Sequence, residues 1–211
     1  MLNGAKQLRQ EARFVTQLPG LPPRVALFQW RARRLALRSG DGFALVSATR
    51  PHNLAVLLGL ARGCRRVVEL GTGSAWTAIS LVLADQDRDV VSYDPIERQE
   101  RERYVLLAGR RARNRLRLVG LPGDQGAPEP NNTVDLLYID SSHDRDDTLR
   151  EVDAWRPALR PGSLIVFDDY GHPSYPGVEA AVRDAGLTGD CRGALFVHRV
   201  AGSTGFSRRR A

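Results

Sequence analysis

Three aspartates in the second half of the chain have the type and spacing of a cation site. Asp140 follows an apolar run at 134–139, and Asp168 and Asp169 follow another at 163–167. Both runs read as strands of a parallel sheet, whose carboxyl ends meet at one crevice. Carboxylates gathered there repel one another unless a cation neutralises them, and oxygen ligands select Mg²⁺, Mn²⁺ or Ca²⁺ over zinc. We therefore predict a hard divalent cation at these aspartates; solvated turn carboxylates are the alternative.

A histidine beside the first of these aspartates is the candidate general base. His143 stands three residues past Asp140, at the start of the following loop. An imidazole with a near-neutral pKa suits removal of a proton from a hydroxyl group bound nearby. A polar surface histidine is the alternative interpretation. His172, four residues past Asp168, is predicted only to line the pocket.

A glycine pair follows the first buried strand and indicates a cofactor. Gly71 and Gly73 lie between a strand at 67–70 and a helical pattern at 75–84. Glycine lets the backbone approach a ligand, and the first N–H groups of the helix are free to bind it. A plain tight turn would explain the same residues. Trp76 occupies the position where the dinucleotide fingerprint requires a third glycine, which argues against NAD.

Two acidic residues flank this loop in the sequence. Glu69 precedes Gly71 by two residues, and Asp94 ends the second strand, 21 residues beyond Gly73. A carboxylate at the end of that strand can accept hydrogen bonds from both ribose hydroxyls of an adenosine. Asp94 can also cap the helix entered at Pro95, and the two roles are compatible.

The pattern around these residues predicts an α/β fold in one domain. Short apolar runs alternate with amphipathic stretches, as in a mostly parallel sheet covered by helices on both faces. The predicted strands are residues 67–70, 90–93, 116–119, 134–139, 163–167 and 195–200, and the predicted helices are 23–38, 53–62, 75–84, 96–113, 148–159 and 177–185. Residues 1–62 are predicted to form an accessory helical layer, 63–201 the Rossmann-like core and 202–211 a flexible tail.

Composition limits the class of protein. The chain has 211 residues and a net charge of +7, but its arginines are scattered instead of forming one basic stripe, so we do not expect nucleic acid as a partner. The longest apolar run, 54–61, is too short to span a bilayer, and the first residues do not resemble an export signal. We expect a cytoplasmic protein without a membrane partner. The sequence does not decide whether it forms a homodimer.

These motifs together resemble class I S-adenosylmethionine-dependent methyltransferases. The closest resemblance is to the metal-dependent branch that contains catechol O-methyltransferases and bacterial sugar and natural-product O-methyltransferases. It extends over about residues 48–200 and is carried by Glu69-Leu70-Gly71-Thr72-Gly73, Tyr93-Asp94, Leu137-Tyr138-Ile139-Asp140 with His143, and the segment 159–169 that ends in Asp168-Asp169.

The resemblance implies a fold, a cofactor and a set of site residues. The fold is a seven-stranded Rossmann-like sheet whose last strand is antiparallel, and the ligands are S-adenosylmethionine and Mg²⁺. Asp140, Asp168 and Asp169 would ligate the metal, with His143 as the catalytic base. The cofactor-binding set is Ala48, Thr49, Glu69, Gly71, Gly73, Thr77, Asp94, Asp124, Gln125 and Asp140, with Arg50 nearby.

The chain departs from the catechol branch at two positions. That branch commonly has Asn where this chain has Asp169, and Lys where it has His143. The departure favours the pattern of sugar and polyketide methyltransferases. Candidates for an apolar wall around an aromatic acceptor, with packed core as the alternative, are Phe28, Trp30, Trp76, Tyr170 and His172.

The expected function is therefore methyl transfer to a hydroxyl of a small molecule. A catechol or other vicinal diol chelated to Mg²⁺ is the first interpretation, and a sugar or polyketide hydroxyl is the second. An NAD-dependent oxidoreductase is a third interpretation, against which the missing third glycine and the carboxylates argue. An RNA-binding or RNA-modifying protein is a fourth, although an Asn/Asp-Pro-Pro-aromatic motif is missing at 140–143.

Overall fold

The fold is taken from a computed structural model that describes residues 11–126 and 133–202. The predicted tail lies almost wholly outside these ranges, as does part of the loop after the third strand. A helical segment at 11–17 precedes eight α-helices: α1 (Pro23–Ser39), α2 (Gly42–Ser47), α3 (Pro51–Leu60), α4 (Trp76–Ala84), α5 (Glu100–Leu107), α6 (Gly109–Arg113), α7 (Arg145–Trp155) and α8 (Pro176–Asp184).

Seven strands form one sheet in the centre of the molecule. They are β1 (Arg66–Leu70), β2 (Asp89–Tyr93), β3 (Leu116–Val119), β4 (Val134–Ile139), β5 (Leu159–Phe167), β6 (Gly189–Arg192) and β7 (Leu195–Arg199). Their order is β3-β2-β1-β4-β5-β7-β6, and β7 pairs antiparallel with both of its neighbours. The predicted Rossmann-like sheet with an antiparallel last strand is confirmed.

The sheet is covered on both faces because its central strands are apolar on both sides. Val67 and Leu136 pack into one hydrophobic cluster, whereas their neighbours Val68 and Leu137 pack into another. Successive side chains of a strand point to opposite faces, so a continuous apolar run suits a strand buried between two layers of helices. Strand β1 begins one residue before its predicted start and ends at Leu70 as predicted.

The helices before the sheet pack on its core. Phe28 and Ala32 of α1 share a third cluster with Trp76 and Ile79 of α4. Helix α1 has its predicted start and ends one residue later, and α3 covers 51–60 instead of 53–62. The helix α2 was not predicted; the side chain of Asp41 caps it by accepting a hydrogen bond from the N–H of Ala44.

Three predicted elements differ most from the structure. The helix predicted at 96–113 is two helices that begin at Glu100 and break at Gly109, where φ is 78°. The helix predicted at 148–159 covers Arg145–Trp155. It begins earlier because the side chain of Asp144 caps it by accepting hydrogen bonds from the N–H groups of Asp146 and Asp147. The strand predicted at 163–167 begins at Leu159 and passes through the expected turn.

Strand β6 was missed altogether. Its four residues are all exposed, and an edge strand without a buried face shows no apolar alternation in its sequence. Among the described residues, no helix is both long and apolar enough to cross a membrane.

Candidate active site

A cavity of about 960 Å³ opens at the carboxyl ends of β1, β2, β4 and β5. This is the edge of a parallel sheet at which neighbouring strands present their last residues to a ligand. The structure brings nearly all predicted site residues to its wall, namely Ala48, Thr49, Gly71, Gly73, Thr77, Asp94, Asp124, Gln125, Asp140, His143, Asp168, Asp169 and also Arg50 and His172. Glu69 is the exception and lies behind the wall.

The glycine loop after β1 touches the end of β4. Gly71 has φ of 96°, and a Cβ placed on it would lie 1.9 Å from the carbonyl oxygen of Asp140. The backbone of the loop can approach the next strand this closely only because a side chain is absent. Gly71 therefore packs directly on the backbone of Asp140, whose side chain is the first carboxylate of the candidate metal site.

Hydroxyl groups connect the loop before α3 to the first turn of α4. The hydroxyls of Thr49 and Thr77 lie 2.9 Å apart, and that of Thr49 lies 3.4 Å from the hydroxyl of Tyr138. All three residues are buried. This network holds the predicted methionine end of the cofactor site against the carboxylates of β4 and β5.

Asp94 is held by three donors. Its Oδ2 accepts hydrogen bonds from the backbone N–H of Gly73 at 3.0 Å and from the guanidinium of Arg101, and its Oδ1 accepts from the N–H of Ile96 at 2.8 Å. The Nε of Arg101 also donates to the carbonyl of Gly73. Arg101 was not singled out in the sequence, because the helix predicted at 96–113 is rich in arginine; only the structure shows that this one is buried.

Glu69 is buried beneath the glycine loop. Its carboxyl group accepts a hydrogen bond from Ser92, whose hydroxyl lies 2.7 Å from that of Thr72. Burial raises the pKa of Glu69 to about 8, and the hydrogen bond from Ser92 lowers it only in part. Glu69 therefore supports the loop through Ser92 and Thr72 and does not itself reach the cavity.

We expect replacement of Glu69 by Gln to flatten the pH dependence of stability. The folded chain keeps the carboxyl proton up to a pKa of about 8, against an ordinary value of 4.5, so the native state binds more protons. The free energy of unfolding should therefore fall as pH rises from about 4.5 to about 8, by roughly 4 kcal/mol from this one group.

Denaturant unfolding of both proteins at about pH 5 and about pH 8.5 measures this effect. The wild-type chain should lose more stability between the two values than Glu69→Gln, whose amide cannot titrate. Parallel pH profiles of the two proteins would show that Glu69 is not the group responsible.

Two of the three predicted carboxylates, Asp140 and Asp168, contact the hydroxyl of Tyr138. Its buried hydroxyl donates a hydrogen bond to Asp168 Oδ2 at 2.8 Å and lies 3.3 Å from Asp140 Oδ2. Burial, together with the charges of Asp140 and Asp168, raises the pKa of Tyr138 well above its ordinary value, so the phenol stays a donor. Asp169 lies beside them, with a left-handed φ of 52°.

His143 completes the cluster on the open side of the cavity. Its Nε2 lies 3.2 Å from Asp140 Oδ1 and 3.7 Å from Asp169 Oδ2, and its backbone φ is 59°. Burial lowers the pKa of His143, but the hydrogen bond and charge of Asp140 and the charge of Asp169 outweigh it, so the net shift is upward. The sequence placed this histidine correctly beside the carboxylates.

The donor set has the chemistry that a hard divalent cation requires. Burial, and then the neighbouring carboxylates, raise the pKa of Asp140 to about 7, and burial also raises that of Asp168. A cation would relieve this cost of holding negative charges together. However, within residues 11–126 and 133–202 no three His, Cys, Asp or Glu side chains are arranged to hold a metal ion. In the structure, Asp168 accepts a hydrogen bond from Tyr138, and Asp140 pairs with His143.

The opposite end of the cavity is built from the loop after β3. Asp124 and Gln125 lie in a short 3-10 helix, Gly123–Gln125, which is anchored by a hydrogen bond from Trp155 Nε1 to the carbonyl of Gly123 at 2.8 Å. Glu151 of α7 lies against this turn and accepts a hydrogen bond from Ser141. Burial raises the pKa of Glu151 to about 7. Glu151 was not predicted, because it lies in a highly charged helix whose sequence does not distinguish it from exposed residues.

The aromatic residues around the cavity differ from those expected. Phe28 and Trp76 pack in the core, and Tyr170 stacks on Phe196, so packed core was the correct alternative for them. Trp30 is partly exposed on α1. Only His172 of that set lines the cavity, where Phe43, Tyr93 and Tyr175 accompany it.

The sheet order, the glycine loop after β1 and the carboxylate after β2 are the features of a class I methyltransferase. Residues 68–170 match a family model described as a methyltransferase domain. This part of the chain is therefore similar to a methyltransferase domain, and the sheet has the Rossmann-like order of that class. No curated protein sequence matches it at a significant level.

Solved structures of O-methyltransferases share the fold. The enzyme TomG of Streptomyces achromogenes, involved in tomaymycin synthesis and solved with S-adenosylmethionine, is 21% identical over 86% of this chain and 91% of its own, with a TM-score of 0.60. A Bacillus cereus O-methyltransferase in complex with S-adenosylhomocysteine is 16% identical over 85% and 91%, with a TM-score of 0.61. CalS11, a TDP-rhamnose 3'-O-methyltransferase of calicheamicin biosynthesis, is 16% identical over 84% and 95%, with a TM-score of 0.60.

Proposed function

We propose that this chain transfers the methyl group of S-adenosylmethionine to a hydroxyl of a small molecule that carries two adjacent hydroxyls, such as a catechol. One observation carries the proposal: the imidazole of His143 and three carboxylates open into the same cavity as the glycine loop. A base beside a cluster of anionic oxygens suits a hydroxyl acceptor, which must lose a proton as it is methylated.

The cofactor is proposed to lie along the carboxyl ends of β1 and β2. Backbone of Gly71 and Gly73 would hold its methionine end, together with Ala48, Thr49 and Thr77. Asp94 would accept hydrogen bonds from the ribose hydroxyls, because Gly73 and Arg101 fix its carboxylate in place. The turn at 123–125 would enclose the adenine with Asp124 and Gln125.

Methyl transfer is an in-line displacement at the carbon bound to the sulfonium sulfur. The acceptor oxygen forms the new C–O bond as the C–S bond breaks, and S-adenosylhomocysteine leaves with the electron pair. The protein must therefore align the oxygen with the methyl group and remove its proton. His143 takes this proton and passes it to solvent.

The carboxylates of Asp140, Asp168 and Asp169 are proposed to hold Mg²⁺. When bound, the ion would lower the pKa of the acceptor hydroxyls and neutralise the carboxylates. The hydroxyl of Tyr138 contacts both Asp140 and Asp168, and Asp168 is buried, which limits the access of competing water to it. Removal of negative charge from the carboxylates would also lower the pKa of His143, which suits its role as a base at neutral pH.

A sugar or polyketide hydroxyl is the second candidate acceptor. His143 and Asp169 stand where catechol methyltransferases commonly have Lys and Asn, and the fold is also that of CalS11, which methylates a TDP-sugar. Both acceptor classes offer vicinal hydroxyls to a cation. We propose a small molecule over nucleic acid because the arginines are scattered around the chain.

A methyl-transfer screen tests the proposed function. The purified chain is incubated with S-adenosylmethionine and catechols, flavonoids or sugars, with Mg²⁺ or with EDTA. We expect S-adenosylhomocysteine to form only with a vicinal diol and Mg²⁺, and Asp168→Asn to lose this activity while the surface variant Asp153→Asn keeps it. Full activity in EDTA would refute the metal role. If calorimetry shows that the chain binds NAD⁺ but does not bind S-adenosylmethionine, the proposed reaction is refuted.

A further inference from the structure

The loop between β5 and α8 carries a tyrosine ring that contacts the proposed base directly. The rings of Tyr175 and His143 stack with centroids 4.5 Å apart and an interplanar angle of 26°. His172 stacks on the same tyrosine at 5.0 Å and 30°. All three side chains line the cavity. The imidazole of His143 is therefore fixed by a ring contact as well as by its carboxylate partners.

The backbone on both sides of this contact is constrained. Tyr175 lies between Pro173 and Pro176, whose rings fix φ, and its N–H donates to the carbonyl of His172 at 2.9 Å. Gly177 packs against the loop between β4 and α7, since a Cβ on it would lie 2.5 Å from the carbonyl oxygen of His143. The tyrosine is thus carried on a stiff segment that packs against the histidine it contacts.

We propose that Tyr175 is a positioning residue for His143, and this inference rests on the proposed function. Rotation about the Cα–Cβ bond gives the imidazole two other staggered positions, in which it would no longer face Asp140 and Asp169. Stacking on Tyr175 keeps its plane directed so that Nε2 faces these carboxylates and the acceptor hydroxyl beside them. The tyrosine hydroxyl has no part in this role, which the aromatic face alone performs.

A double-mutant cycle tests the role in methyl transfer. We expect Tyr175→Ala to lower kcat by about tenfold or more, with the affinity for S-adenosylmethionine unchanged, and Tyr175→Phe to restore kcat to within about twofold of wild type. In a His143→Ala background, Tyr175→Ala should change kcat by less than about twofold. An equal loss in both backgrounds, a loss confined to KM, or an inactive Tyr175→Phe would overturn the proposal.

Tyr170 provides the matched control. It lies in the same segment but stacks on Phe196 at 4.7 Å, outside the cavity wall. Tyr170→Ala is expected to reduce stability, and whatever it costs in kcat should be the same with and without His143. A Tyr170→Ala effect that also vanished in the His143→Ala background would mean that the cycle reports general loosening of the segment, against the proposal.

An NMR measurement separates this inference from the function. The imidazole signals of His143, assigned by their loss in His143→Ala, should carry a ring-current shift that disappears in Tyr175→Ala and remains in Tyr175→Phe. The same imidazole shifts in wild type and Tyr175→Ala would overturn the positioning role. If no acceptor is methylated, the proposed function fails, and the ring-current shift still decides whether Tyr175 fixes the imidazole.

Discussion

Replacement of Gly71 by Ala is expected to destabilise the chain by more than about 4 kcal/mol, a large share of the free energy of unfolding of an ordinary domain. The new Cβ would lie 1.9 Å from a backbone oxygen and 2.5 Å from the carbonyl carbon of Asp140, neither of which can move without breaking the β1–β4 pairing. The left-handed φ of 96° adds roughly 1–2 kcal/mol of its own. Denaturant unfolding measures the loss.

Gly63→Ala is the control for backbone strain alone. Its φ of 78° is also left-handed, but a Cβ there meets nothing within 4 Å. We expect it to cost only about 1–2 kcal/mol and to leave cofactor binding intact. Equal losses in the two variants would mean that contact with Asp140 does not set the requirement for glycine at 71.

Replacement of His143 by Ala is expected to lower kcat for methyl transfer by roughly 100-fold to 10,000-fold, the range typical for a general base. The imidazole is within 3.2 Å of Asp140 at the cavity wall, whereas the glycine loop is held by other residues. The dissociation constant of S-adenosylmethionine should therefore change little. Single-turnover rates and calorimetry measure the two quantities separately.

His52→Ala controls for loss of any histidine. His52 is exposed at the start of α3 and is not in the cavity wall, so its removal should leave kcat near that of wild type. If His143→Ala retains full turnover with an unchanged pH dependence, another group removes the proton and the assignment is wrong.

The sheet was predictable because its strands are buried on both faces. Runs such as 67–70 and 134–139 are largely apolar and are followed by turn residues, so the sequence alone indicates that they are strands, whereas the antiparallel last strand was implied by the family resemblance. The carboxyl ends of these strands then place Asp94, Asp140 and Asp168 at one edge by topology, without knowledge of any contact. This is why the cavity wall was largely predicted.

Residues whose role depends on burial were not predictable. Arg101 and Glu151 lie in helices rich in charge, and nothing in their spacing distinguishes the buried carboxyl or guanidinium from exposed ones. Tyr175 follows a loop whose path is set by tertiary packing against 143–145. Glu69 was predicted to bind the cofactor, but its side chain is buried beneath the loop, where it accepts a hydrogen bond from Ser92.

Among the described residues other than glycine, left-handed backbone occurs only after the carboxyl ends of central strands. In the described ranges, Ala75, His143 and Asp169 are the three such residues, and each follows the carboxyl end of a central strand. Each costs of the order of 1 kcal/mol relative to ordinary backbone, which packing of the sheet must offset. The edge proposed to be catalytic is therefore where strained backbone collects, and we expect stabilising substitutions there to slow methyl transfer.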